Sequence, residues 1–242
     1  MIERIYNTPE ISFSKSYYGR KIRSYAESYG YAYDFCRIYR LDDSGYILLN
    51  NSNCVIDGTP DDNEELEFFI RMHSPMGIEL DRQALEKFAP EGYERQERFM
   101  IAMNKCCCKD HSSEDIVTNR GFEQIYRILS ASFGETDHDL WYVDISHRVR
   151  HNTAMTLLYK NAAAAVIEFK DNDYAYISQV ATLPEKRGQG LCRHLLGYIS
   201  EYLLCQGITG HMLAYHDKAL FYTHLGFEHI NAEDDIYFTV KK

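Results

Sequence analysis

The chain has 242 residues, 45% hydrophobic and 26% charged, a balance typical of folded globular proteins and long enough for two domains. A formal net charge of −10 repels phosphate backbones, which excludes nucleic acid as a general partner and leaves a cationic amine admissible. No apolar run reaches the ~18 residues that a bilayer-spanning helix needs, and Met1–Ile5 has no leader pattern, so neither a membrane nor secretion is expected.

In chain order, Ser14 to Tyr29 predicts a helix with Tyr18, Ile22 and Tyr25 on one face. Phe35 to Leu41 and Tyr46 to Val55 predict two strands, the second closed by an Asp57-Gly58 turn. A helix from Asp61 to Met72 opens on an acidic turn. A strand at Gly77–Leu80, a helix from Asp81 to Phe88 and a strand from Tyr93 to Met103 follow. Lys105 to Asp115 lacks periodicity and ends in small polar residues, which sets a boundary between domains of residues 1–110 and 111–242. No repeat with a period of about 20 to 50 residues is visible.

The second half predicts helices at Phe122–Ser132 and His138–Arg150. Three strands come next, at Met155–Tyr159, Ala163–Phe169 and Tyr174–Thr182, with Asn161 and Asp171-Asn172-Asp173 as their turns. A helix from Gly190 to Cys205, a strand at His211–Tyr215, a helix from Asp217 to Leu225 and strands at Phe227–Ile230 and Ile236–Val240 complete it. The order is α+β, with a three-strand meander before the first crossover.

Seven cysteines without an even framework of spacings suit reduced thiols in a cytoplasm. The Cys106-Cys107-Cys108 run before His111 lacks the Cys-x-x-Cys spacing that lets two thiolates share one zinc, so no metal is expected. The tyrosines from Tyr17 to Tyr33 have few cations near them and are expected to pack rather than stack on bases.

Chemistry concentrates in the stretch from Gln179 to Cys192. There a strand ends at Pro184, passes a basic glycine turn and enters a helix. Free N–H groups and the positive dipole end make such a helix start an anion site. Gly188 and Gly190 allow positive φ and close approach, and Arg187 adds charge. There is no Gly-Lys-Ser/Thr ending and no three-glycine dinucleotide spacing.

Arg187-Gly188-Gln189-Gly190-Leu191-Cys192 resembles the (Arg/Gln)-x-x-Gly-x-(Gly/Ala) pyrophosphate loop of GNAT acetyltransferases, and Val180 to Pro184 is similar to the end of that family's fourth strand. Ala219 to Phe227, with Phe221-Tyr222 leading into Gly226-Phe227, resembles the family's second hallmark. Cys192 stands where the family usually has Gly or Ala, and His216 where it often has Asn. The resemblance covers residues 113–240. It implies a mixed, mainly antiparallel sheet flanked by helices, acetyl-CoA as cosubstrate, and a small-molecule or peptide amine as acceptor.

It also implies roles. Arg187, Gly188, Gln189, Gly190, Leu191 and Cys192 would hold the pyrophosphate, with His216 near the cofactor arm and Val180 and Thr182 pairing with that arm as an added strand would. Tyr222 would protonate the departing thiolate. An ammonium acceptor must first lose a proton, for which Glu168, His147 and Asp144 are candidates, though each reads more readily as a solvated or structural residue. The segment Trp141 to His151 resembles the family's acceptor-lining helix. The first half lacks both motifs, and its element order resembles a degenerate half of the same fold; an unrelated α/β cap is the alternative. For the whole chain, the alternative to an enzyme is a non-catalytic acyl-CoA-binding protein.

Overall fold

The computed structural model describes residues 1–7, 11–42, 45–59, 62–88, 90–103, 113–134, 136–230 and 236–241. The elements of the first half are β1 (Ile2–Arg4), α1 (Tyr17–Tyr29), β2 (Cys36–Leu41), β3 (Gly45–Asn50), β4 (Asn53–Asp57), α2 (Asn63–His73), β5 (Gly77–Leu80), α3 (Arg82–Lys87) and β6 (Tyr93–Met103). The second half has β7 (Ile116–Thr118), α4 (Phe122–Phe133), α5 (His138–Arg150), β8 (Met155–Tyr159), β9 (Ala163–Lys170), β10 (Tyr174–Thr182), α6 (Leu191–Leu204), β11 (Thr209–Ala214), α7 (Ala219–His224), β12 (Glu228–His229) and β13 (Ile236–Lys241). Contacts group these into two compact units, residues 1–99 with 230–242, and residues 100–229.

In the first unit the strand order is β1-β2-β3-β4-β5-β13-β6. Among the described residues these strands pair antiparallel except for the parallel pair β4–β5. Alternation along the strands sends Ile47, Leu49, Cys54 and Ile56 into a core with Leu66, Phe69 and Ile70 of α2. Leu48 and Val55, of opposite parity, are buried as well, and α1 packs on β2, β3 and β4. α1 starts at Ser16, whose side chain accepts from Gly19 N. Most of the tyrosine-rich stretch packs: Tyr17, Tyr18, Tyr25 and Tyr29 are buried and Tyr25 stacks on Tyr29, whereas Tyr33 is exposed.

Two differences from the sequence reading belong here. The strand expected over Tyr46 to Val55 is a hairpin: Asn50 pairs with Asn53 around Asn51-Ser52, with Asn51 at φ 50°. The polar Asn50-Asn51-Ser52-Asn53 interrupts the apolar run, and Asn tolerates the left-handed conformation that a two-residue turn requires. Secondly, β13 runs antiparallel between β5 and β6, Tyr237 opposite Leu80 and Ile236 opposite Arg98, so the C-terminal segment is part of the first unit. Of the stretch expected to hold the boundary, residues 105–112 lie outside the described residues, as do Cys106, Cys107, Cys108 and His111.

In the second unit the order is β6-β11-β10-β9-β8-β7, with β12 on the end of β6. β8 and β9 are joined by three residues, Lys160, Asn161 and Ala162, with Lys160 and Asn161 at φ 49° and 52° and Ala162 N donating to the Tyr159 carbonyl at 3.0 Å. α4 packs on β9 and β10, and α6 covers β8 to β11. Ala162, Ala164 and Ala181 bring Ile125, Ile128 and Leu129 of α4 close to the sheet. β10 and β11 are parallel. The two units follow a similar order, a strand, then one helix in the first unit (α1) and two in the second (α4 and α5), then an antiparallel three-strand meander, a helix, a parallel strand, a helix and a strand. The α+β class and the mainly antiparallel, helix-flanked sheet agree with expectation.

Candidate active site

β10 begins in register with β11, Tyr174 opposite Thr209 and Tyr176 opposite His211, and the pairing stops there although β10 continues to Thr182 and β11 to Ala214. Past that point the backbone groups on their facing edges are released from each other. The C-terminal ends of parallel strands are where α/β sheets place ligands.

β10 is also irregular on its other side. Against β9, Tyr176 pairs with Phe169 but Ile177 with Ile167, so Glu168 is an extra residue. Ser178 pairs with Val166 and Ala181 with Ala164, which leaves one extra residue in β10. Gln179 in that second bulge has φ 50°. Each irregularity is tied down. The buried Arg148 of α5 donates from Nη2 to the Glu168 carbonyl at 2.5 Å, and its Nη1 lies 3.6 Å from Asp144. Ser178 Oγ donates to Glu168 Oε1 at 2.5 Å, Trp141 Nε1 to Gln179 Oε1 at 2.9 Å, and Ser132 Oγ to the Thr182 carbonyl at 3.2 Å. The sequence reading did not find these ties. The available signal was the polar pair Ser178-Gln179 interrupting an apolar strand.

Downstream, Pro184–Lys186 forms a 3₁₀ turn, and Arg187 folds back so that its Nε donates to the Thr182 carbonyl at 3.3 Å. Gly188 and Gly190 take φ 75° and 76°. A Cβ at Gly188 would meet nothing within 4 Å, so backbone conformation rather than space calls for glycine. Gly190 is the N-cap of α6 and supplies no side-chain cap, and its carbonyl accepts the first helical bond, from His194 N at 3.0 Å. The N–H groups of Leu191, Cys192 and Arg193 therefore precede the first intrahelical donor and point out of the helix start.

The corresponding helix of the first unit, α2, is closed to anions. Its N-cap Asp62 accepts from Glu64 N and Glu65 N at 2.8 and 3.2 Å, and Glu64 and Glu65 add two negative charges to the first turn. The neighbouring strand ends are engaged too. Asp57 of β4 accepts from Ser14 and Ser16, and Glu79 of β5 binds Lys21 and Tyr17 of α1. Burial raises the Asp57 pKa against the opposing effect of the Ser16 and Ser14 hydroxyls.

Tyr222 lies on α7 with its ring 5.5 Å from that of the buried Phe227. Gly226, φ 87°, lets the chain turn so that Phe227 N donates to the Tyr222 carbonyl at 3.0 Å. Burial, and secondarily the neighbouring Cys192, push the phenol well above its ordinary pKa. Cys192 of α6 is thus close enough to Tyr222 of α7 to act on it electrostatically. His216 opens an exposed 3₁₀ turn directly after β11. Among the candidate bases, Glu168 is bonded to Ser178, Asp144 pairs with Arg148, and His147 stacks on His151 at 4.3 Å. No helix among the described residues is long and apolar enough to cross a membrane.

Residues 122–227 match the model of the acetyltransferase (GNAT) family. A tandem GNAT protein from the clavulanic acid biosynthesis pathway superposes with a TM-score of 0.59 at 11% identity, over 100% of this chain and 98% of that one. A GCN5-related N-acetyltransferase from Kribbella flavida gives 0.54 at 15% identity, covering 81% and 86%. A GNAT-family acetyltransferase from Colwellia psychrerythraea gives 0.54 at 14%, covering 100% of both. At these identities the likeness is one of fold. No curated protein sequence matches the chain. The chain carries, over residues 122–227, a GNAT-family acetyltransferase domain.

Proposed function

We propose that the second unit transfers an acetyl group from acetyl-CoA to a primary amine on a small molecule or peptide. One observation carries the reading above the others. α6 starts uncapped behind two positive-φ glycines, beside strand ends that have parted. The fit to a pyrophosphate is good: the N–H groups of the first turn, the helix dipole and the Arg187 guanidinium supply donors and charge, and no side chain caps the helix. Thr182 Oγ1 is enclosed and has no hydrogen-bond partner among the described residues, which suits a polar arm lying along β10.

Acetyl-CoA would supply the acetyl group as a thioester open to direct attack by the amine. Residues Arg187 to Cys192, with His216 at the mouth of β11, would hold its nucleotide end. Backbone groups of Val180 and Thr182 would pair with the arm, and an N–H of the bulged stretch would polarise the thioester carbonyl. Tyr222, a phenol that carries its proton at neutral pH, would return a proton to the leaving sulfur. The −10 charge favours approach of a cationic acceptor and disfavours nucleic acid and anionic membrane. A cytoplasmic setting fits the cysteine content.

The test is titration calorimetry of acetyl-CoA into the full chain, beside an Arg187→Ala/Gly190→Glu double variant. Binding of about −7 to −8 kcal/mol that vanishes in the variant is expected. Absence of heat at millimolar ligand would remove the cofactor reading. Binding with no thiol release across an amine panel would instead favour the non-catalytic acyl-CoA-binding alternative.

A further inference from the structure

The two irregularities of β10 and β9 share a support that no motif announces. Trp141 and Arg148 lie seven residues apart on α5, two turns along one helix face. One grips the extra residue of β10, through Gln179 Oε1, and the other the extra residue of β9, through the Glu168 carbonyl. Gln179 is held at φ 50°, a conformation that is unfavourable for a non-glycine residue and is kept only when its surroundings impose it. The indole is half-buried, packed against the α4 core, and 5.5 Å from the Tyr126 ring, so its N–H is fixed in direction. Gln179 directly precedes Val180, and both lie in the part of β10 beyond its last pair with β11, Tyr176 opposite His211.

We infer that Trp141 is a positioning residue: its bond to Gln179 fixes the bulge of β10 and thereby aims the Val180 peptide at the cofactor arm. This rests on the acetyl-CoA reading above. Among the described residues the hydrogen bond of the Trp141 side chain goes to Gln179 and its ring contact to Tyr126, not to the turn from Arg187 to Gly190. Its loss should therefore weaken only ligands that possess an arm.

The experiment uses two probes on the full chain: acetyl-CoA, and adenosine 3′-phosphate 5′-diphosphate, which keeps the pyrophosphate and lacks the arm. Trp141→Phe keeps an aromatic ring and removes the donor; Gln179→Met keeps the length and removes the acceptor. Each variant should bind acetyl-CoA roughly five- to tenfold more weakly and the armless nucleotide within about twofold of the native chain, and the double variant should be no worse than either single one. Equal weakening of both ligands, unchanged binding of both, or additive losses in the double variant would each overturn the positioning role while leaving the cofactor reading intact. A native chain that binds neither probe overturns the cofactor reading, and this inference with it.

Discussion

Tyr222 is the residue on which the proposed chemistry turns. Its phenol carries a proton through the neutral range, as a tyrosine ordinarily does, and burial pushes its pKa further upward. Tyr222→Phe is expected to cut turnover at least tenfold while changing acetyl-CoA affinity less than about twofold, measured by thiol release and calorimetry on the same preparation. The raised pKa has a stability consequence with a definite sign. Above pH ~10 the unfolded chain releases this proton and the folded one keeps it. The contribution is therefore complete below about pH 10 and lost as pH rises beyond it. Thermal unfolding followed above pH ~10 should fall less steeply for Tyr222→Phe than for the native chain; parallel curves would contradict this.

At the scale of elements, helix starts separate the two units chemically. α1 is capped by Ser16, which also donates to Asp57. Ser16→Ala removes both bonds and should destabilise the first unit by about 1 to 2 kcal/mol in urea titration. α2 satisfies its own first turn through Asp62, whereas α6 leaves its first turn open behind Gly190. Gly190→Ala forces a side chain into the left-handed region at about 1 kcal/mol, and it should weaken acetyl-CoA binding and thermal stability together. Helices of this kind are readable in sequence because caps, glycines and a 3.6-residue stripe are local signals. The three-residue strands β1 and β7 are not, since they exist only through their partners, Ile2 opposite Leu41 and Ile116 opposite Tyr159.

At the scale of the whole molecule, the chain returns to its first unit at the end. β13 fills the place between β5 and β6 and satisfies the ladder groups of both. A chain ending at His229 should lose amide protection at Gly77–Leu80 and along residues 93–99 and keep it in β9 and β10. Hydrogen exchange read peptide by peptide checks this; undiminished protection in β5 would refute it. The second unit's strands need nothing from residues 230–242 for their ladder, which is why the loss should be confined.

The sequence by itself determined the helices, most strands and the turn from Arg187 to Cys192, because glycines, caps and apolar periodicity act over a few residues. It also determined that α6 offers an open helix start and that α7 presents Phe221-Tyr222 before Gly226-Phe227. Only the tertiary structure decided that β13 closes the first sheet, that β10 parts from β11 past Tyr176, and that α5 fastens both bulges through Trp141 and Arg148. Those outcomes depend on strand pairing and on hydrogen bonds between residues 20 to 160 positions apart, such as Arg148 with Glu168 and Leu80 with Tyr237. Nothing local encodes such pairings; they are chosen by which edges and buried polar groups remain to be satisfied once the helices and hairpins have formed.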